Sequence, residues 1–588
     1  MANFSANITI PGNRNAMMTS YRGTDFFTPD HIPGPDFYLI LNSDCNTKFL
    51  RLMKKQLVIL IYVVTAAILP AISQTGSDNI LRTLEGINED VLKAQLGILA
   101  SDWMEGRGTA TKGDYMASDY IAGQLRLYGI APGGDPSWER TGTGTTGSPD
   151  RTYFQNFTLI KTTQSENPLL KIIVSSGKDH IRSTSFESGT DFRVSYTEQS
   201  VETEAPVVFV GYGIRNEKLR IDDWGDNDLR GKFILRIAGS PGFLEDKMSN
   251  TGQVNLSRDA ERIARQSGAA GIIEFDPSVT VSGSINRNPL ADMAPAEGRP
   301  SYGRPAADYS LPSAKKPDSF LRMVISARAA DELFSGTGFS VEDFILKSKK
   351  SHVKAPELPA DRKIYLRTSV KTEIVRVRNV IGIIEGKDPS QIIVAGAHYD
   401  HMGMWNGYIW NGADDNGSGT VGIMTIAKAI METGIKPEKT IVIALWAAEE
   451  EGLLGSKHFV SNLPWPVKNV RLNLNFDMIS RYVSEKEPAK AYMVYSDAFT
   501  GFKAMTERNL KTYGIDLDIE FQPSSNPPGG SDHRSFVDAG IPIMRFKPGH
   551  REEYHTPDDE VETLDWDIME KIVKIGFVNL WELANSEW

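Results

Sequence analysis

QIIVAGAHYDHMGMWNGYIWNGADDNGS, Gln391 to Ser418, is the stretch whose reading decides the fold. A run of β-branched and small apolar residues ends in a His-x-Asp, His398 and Asp400, and an Asp-Asp pair, Asp414-Asp415, follows. The same punctuation recurs downstream. Glu449-Glu450 closes the strand-like TIVIALWAA, Asp477 closes RLNLNF, and His555 follows Tyr554 beyond the strand-like IPIMRF. In an open α/β sheet the strand C-termini form one edge, and the loops leaving that edge build the ligand site, so residues distant in sequence meet at one rim. Two histidines and three carboxylates gathered there suit two metal ions sharing a bridging carboxylate, because zinc takes His nitrogen and Asp or Glu oxygen readily. A second glutamate beside a ligand glutamate can accept a proton from water and hand it to a leaving group. The pattern points to metal-assisted hydrolysis.

After Arg376 the alternation of elements is regular. NVIGIIEG and QIIVAGA read as strands, Thr420 to Met431 as a helix, TIVIALWAA as a strand and Gly452 to Ser461 as a helix. LNLNF is a further strand, Phe502 to Tyr513 a helix, IPIMRF a strand and Asp565 to Ala584 the terminal helix. Upstream, Ala117, Tyr120, Ile121, Leu125 and Tyr128 recur at helical spacing, and Gly129 ends that pattern. The fold class expected is α/β: a mixed, mostly parallel sheet sandwiched by helices, with a β-rich insert.

The strings AHYDH, GADDNGSG, AAEEEGLLGS, NFDMIS, GGSDHRSF and YHTPDD, in this order and spacing, resemble the M28 family of co-catalytic zinc peptidases, best known as aminopeptidases. The resemblance covers residues 376–588, and LASDWMEGRGTATKGDYMASDYIAGQLRLYGIAPGG resembles the family's N-terminal segment. It implies two Zn2+ ions, with His398 and Asp477 holding one, Glu450 and His555 the other, and Asp414 bridging both. It makes Glu449 the general base, in the register in which Glu-Glu-x-Gly-Leu-x-Gly-Ser aligns Gly452, Gly455 and Ser456. Asp400 would accept the other ring N–H of His398 and fix its tautomer. His533 and Tyr554 would face the substrate, and a cis peptide often found in the family would join Asp414 to Asp415. His401 reads as a local hydrogen-bonding residue rather than a catalytic one, and His458 as structural.

The stretch from 160 to 375 changes character. APVVFVGYGI, DLRGKFILRIAG, RDAERIARQSGA and AGIIEF resemble a protease-associated (PA) domain, an insert common in this peptidase family. None of the metal ligands falls inside it. Residues 74–159 then form the N-terminal part of the peptidase domain and 376–588 its metal-binding part.

A chain of 588 residues exceeds one core and implies two or three domains. Its net charge of -11, with no Lys/Arg block, argues against nucleic acid. MKKQLVILIYVVTAAILPAISQ, from Met53, has the basic start, short apolar run and small residues of a secretory signal cleaved before Gln74, so residues 53–73 would be removed. Residues 1–52 read as a non-native extension ahead of the true start at Met53. An uncleaved anchor is the alternative, but the run is short for a span and holds Pro70. Cys45 is the only cysteine, so the mature chain would carry no disulfide and no thiolate ligand. The expected product is a periplasmic or secreted di-zinc aminopeptidase acting on peptides, with no stable membrane insertion after cleavage. The alternatives are a glutaminyl-cyclase-like acyltransferase, a group that normally works with one zinc, and a catalytically silent PA-domain binding protein.

Overall fold

A computed structural model describes residues 79–137, 151–175, 181–195, 197–245, 250–275, 307–312, 320–549 and 551–588. The expected extension and signal, Cys45, His550 and most of the Pro/Ala/Gly-rich stretch Asn286 to Pro317 lie outside these residues.

In chain order the elements that place the site are α1 (Glu89–Leu99), α2 (Lys112–Leu127), β1 (Phe154–Ser175), β2 (Val201–Phe209), β3 (Phe233–Ile237), α3 (Asn250–Gln266), β4 (Gly271–Phe275), β5 (Leu321–Ile325) and β6 (Arg362–Ile384). Then come β7 (Asp388–His398), β8 (Gly403–Trp405), β9 (Tyr408–Trp410), α4 (Gly419–Glu432), β10 (Lys439–Trp446), α5 (Leu454–Ser461) and β11 (Val470–Phe476). The chain closes with β12 (Lys490–Ser496), α6 (Gly501–Tyr513), β13 (Asp518–Ser524), α7 (His533–Asp538), β14 (Ile543–Lys547) and α8 (Trp566–Asn585). The helical spacing read from Ala117 to Tyr128 belongs to α2, and α1 precedes it across a 3₁₀ turn, Asp102–Arg107.

One stretch of sheet runs β13-β12-β14-β11-β7-β10-β6, with β10, β7, β11 and β14 mutually parallel and β6 antiparallel to β10. Every residue of β10 is buried, as a strand covered on both faces requires. Side-chain alternation explains how: Ile441, Ile443 and Leu445 join Ile393, Ala395 and Ala397 in one core with α1, α2, α4, α6 and α8. Val442, Ala444 and Trp446 join Ile392 and Val394 in a second core on the other face, closed by Phe459 of α5 and Phe536 of α7. Helices therefore sandwich a mixed, mostly parallel sheet.

The insert has its own parallel strands, β2, β3, β4 and β5, and separate apolar cores. Its connection to the stretch of sheet described above is continuous strand. β1 and β6 pair antiparallel from Phe154↔Val380 to Val174↔Arg362. One part of β6 pairs with β2 and its last five residues with β10. The expected boundaries at 160 and 375 thus fall inside β1 and β6, and a register shift around Arg367 to Val370 interrupts the ribbon.

Candidate metal centre

His398, the Glu449-Glu450 pair, Asp477 and His555 stand at or follow the C-terminal ends of parallel strands, and Asp415 follows the β8–β9 hairpin. His398 is the last residue of β7 and lies in register with Trp446 of β10, three residues before Glu449. Asp477 follows Phe476 of β11, itself in register with Phe546 of β14, the strand that leads to His555. Parallel register sets these ends side by side, as the position of ligand sites in open α/β sheets requires.

Two groups of donors meet there. His398 Nε2 lies 3.4 Å from Asp415 Oδ1, 3.6 Å from Asp477 Oδ1 and 3.9 Å from Glu449 Oε2. His555 Nε2 lies 3.0 Å from Asp415 Oδ2 and 3.1 Å from Glu450 Oε2. His401, buried, brings Nδ1 to 2.7 Å from Glu450 Oε1 and 3.8 Å from Asp415 Oδ2. Among the described residues Asp415 alone reaches both groups, one oxygen toward each.

The expected bridging residue is therefore corrected from Asp414 to Asp415. Asp414 turns the other way: its Oδ1 accepts from the Ser480 N–H at 3.0 Å and hydroxyl at 2.6 Å and from the Ser418 hydroxyl at 3.2 Å, and Arg481 Nε stands 3.7 Å from Oδ2. The backbone sets this division. Asp559 accepts the N–H groups of both Asp414 and Asp415 at 3.0 Å, and Gly412, at φ 53, brings the turn so close that a Cβ would strike the His401 ring and the Asp415 carbonyl. The cis peptide joins Asp415 to Asn416, one bond later than expected. The Asn416 side chain ties this turn to the Asp477 loop, donating to Phe476 O at 3.0 Å and accepting from Met478 N–H at 3.3 Å.

Asp400 also differs from expectation. His398 Nδ1 is 3.2 Å from the Asp400 carbonyl and 3.8 Å from its carboxylate, so the main chain fixes the tautomer. The carboxylate instead accepts the N–H groups of Glu449 at 3.0 Å and Glu450 at 3.4 Å, locking the two acids to the β7 loop. His533 is wholly buried behind the site, with Nε2 2.7 Å from Pro528 O, and burial lowers its pKa to about 4. It is not a surface of the pocket. Tyr554 stacks on the His555 ring with centroids 3.8 Å apart. His458 stacks on Phe157, away from these donors, as a packing residue.

Sequence reading missed Arg107, which carries the N-terminal segment into the centre. Its buried guanidinium donates to the carbonyls of Leu99 at 2.7 Å, Tyr399 at 2.7 Å, Asn411 at 2.6 Å and Gly412 at 2.9 Å. One side chain thereby joins the loop after His398 to the loop before Asp415. Asp559 was equally unread, although both it and Arg107 stand in strings that carry the family resemblance.

The donor set fits a pair of divalent ions. Imidazole nitrogens and carboxylate oxygens are the ligands zinc accepts, and Asp415 Oδ2 is buried without a hydrogen bond. Burial pushes the carboxyls of Glu449 and Asp400 well above their usual range and those of Asp532 and Asp559 to about 7. Such crowding of acids in a poorly hydrated volume calls for nearby positive charge. His398, Asp415 and Asp477 would hold one ion, and Asp415, Glu450 and His555 the other.

Comparison with known proteins agrees with this centre. Residues 379–577 match the model of Peptidase family M28. Leupeptin-inactivating enzyme 1 of Streptomyces exfoliatus is 36% identical over 166 residues, covering 28% of this chain and 34% of its own. Aminopeptidase Y of Saccharomyces cerevisiae is 28% identical over 228 residues, covering 36% and 39%. The chain spans only these shares, 34% and 39%, of the length of those two curated relatives. A Glutamate carboxypeptidase 2 homolog of Caenorhabditis elegans aligns over more of it, 26% identical across 63% of this chain and 53% of that one. The solved aminopeptidase from Aneurinibacillus sp. strain AM-1 superposes with a TM-score of 0.51 at 18% identity, covering 87% of this chain and 97% of that chain, and so shows the fold. Every donor of the two groups, from His398 to His555, lies within residues 379–577, the segment that matches Peptidase family M28.

Proposed function

We propose that the protein is a di-zinc aminopeptidase that removes N-terminal residues from peptides. The observation that carries this reading is the Asp415 carboxylate within ligand reach of both histidine-carboxylate groups, with Glu449 beside the first. The names of the relatives, among them Aminopeptidase Y, support it.

Zinc ions bound there would make a shared water acidic and polarise the scissile carbonyl, chemistry general to two-metal sites, for which aminopeptidases are a standing example. Asp415 and the histidines fix where that water and carbonyl can sit. Glu449 takes the proton of the attacking water and delivers it to the departing amine nitrogen. Its Oε2, 3.9 Å from His398 Nε2, stands beside the donors that would hold that water, where a general base must be. The Asp400 carboxylate, through the Glu449 and Glu450 N–H groups, keeps base and ligand in place. The 160–375 insert is proposed as a PA domain bordering the cleft, and the sequence of residues 53–73 supports export to the periplasm or medium.

The test is an assay of the zinc-loaded protein against matched peptides with free and N-acetylated termini, with metal analysis alongside. Cleavage of only the free peptides, at two zinc ions per chain, is the expected result. Cleavage of both sets alike would reject the exopeptidase reading, and a single zinc would favour the cyclase class.

A further inference from the structure

The two oxygens of Glu450 are divided between two histidines. Oε2 lies 3.1 Å from His555 Nε2, whereas Oε1 lies 2.7 Å from His401 Nδ1. Two ligands bound at 2.0–2.1 Å to one tetrahedral zinc are about 3.3 Å apart. The separations within the two ligand groups, 3.0 to 3.6 Å, bracket that spacing. The His401 separation is too short for it and falls where a charge-assisted N–H···O bond belongs.

We propose, on the di-zinc reading above, that His401 is a positioning residue and not a ligand: its Nδ1–H holds Glu450 Oε1, so that Glu450 offers the second ion a single oxygen. The second ion then has three protein donors, His555, Asp415 and Glu450 Oε2, and keeps an open position, the mark of a catalytic rather than a structural zinc. The neighbourhood agrees. His401 is 1% exposed, its ring meets that of His555 edge-on at 5.7 Å, and its Nε2 makes no hydrogen bond. An Nδ1–H tautomer leaves only a lone pair at that buried Nε2, whereas an imidazolium would leave an unsatisfied donor. The His401 N–H donates to Arg107 O at 3.2 Å, and Gly412 leaves the space against its ring, so backbone and side chain are both fixed. A proton donor thus held immobile sets the denticity of the glutamate beside the base.

The experiment is metal-binding titration against a competing chelator for wild type, His401→Leu and His401→Asn, with zinc X-ray absorption on the doubly loaded wild type. Residues that orient a ligand are worth about 10- to 100-fold in metal affinity. In His401→Leu one of the two binding steps should weaken by that factor while the other holds. His401→Asn, whose amide can donate from near the Nδ1 position, should recover to within about threefold. Wild-type absorption should count one imidazole per zinc on average, from His398 and His555. An average of one and a half, equal affinities in wild type and His401→Leu, or an Asn variant as weak as Leu would each overturn the proposal. Should His401→Leu fail to fold, the imidazole count decides alone. A wild type that binds two ions with one imidazole each yet cleaves no peptide refutes the aminopeptidase reading and leaves the role of His401 standing.

Discussion

Adjacent aspartates with opposite duties show how much one residue of register matters. Asp415 faces both histidine groups, whereas Asp414 is tied to Ser418 and Ser480 through Oδ1 and turns Oδ2 toward Arg481. Asp415→Asn should therefore abolish binding of at least one ion, read as zinc per chain after dialysis. Asp414→Asn should keep both ions and instead lower stability by about 1–3 kcal/mol, because a buried charge-assisted acceptor is weakened. Glu449→Gln completes the comparison: full zinc content with turnover lower by about 10²- to 10⁴-fold, the range typical of a lost general base. Metal loss in Asp414→Asn with retention in Asp415→Asn would restore the original assignment.

At the level of elements, the centre is assembled by strand ends and held by loops that cross-link them. β7, β10 and β11 supply His398, the Glu449-Glu450 pair and Asp477, but parallel register alone does not hold the loops in place. The 3₁₀ turn before α2 does so. Gly106, at φ 66, lets that turn lie against the β8–β9 hairpin, where a Cβ would strike the carbonyls of Gly403 and Trp410. Arg107, next in sequence, then reaches four carbonyls. Arg107→Lys retains the charge but not the planar fork, and cannot reach four acceptors at once. It should destabilise the protein by at least about 3 kcal/mol, since several buried carbonyls lose their donors, and should lower zinc affinity, both measurable by thermal melts with and without excess zinc. A melt within one degree of wild type would show that Arg107 is dispensable.

Among the described residues of the whole molecule, the 160–375 segment and the sheet that carries the metal centre share two strands, not a linker. β6 pairs with β2 in one part and with β10 at its end, and β1 follows it from Arg362 to Val380. Excising residues 160–375 at the composition boundary would remove most of that ribbon, taking away Val375, the partner of Leu159, and joining Leu159 directly to Arg376 with too few residues left for a hairpin turn. That deletion should yield aggregated protein. Joining Glu166 to Ser369, partners across the ribbon, through an Asn-Gly turn preserves the peptidase end of the pairing and should give a folded, zinc-binding protein by circular dichroism and metal analysis. Identical behaviour of the two deletions would mean that the ribbon is not what couples the parts.

The sequence by itself determined which residue types stand at which strand ends. Period-two apolar runs and short turns make β7, β10, β11 and β14 legible, and acids or histidines directly behind buried strands have few uses without a cation. His398, Glu449, Glu450, Asp477 and His555 could thus be picked out before any coordinates. Tertiary structure alone decided which way neighbouring side chains turn. Asp414 and Asp415 are identical in composition and differ only in the backbone path set by Gly412 and Asp559. The partner of His401, and Arg107 altogether, were illegible for the same reason: Glu450 and the Tyr399, Asn411 and Gly412 carbonyls become their neighbours only when loops from separate strands fold over one sheet edge. Local sequence specifies chemistry and period, whereas direction in space is a property of the packed chain.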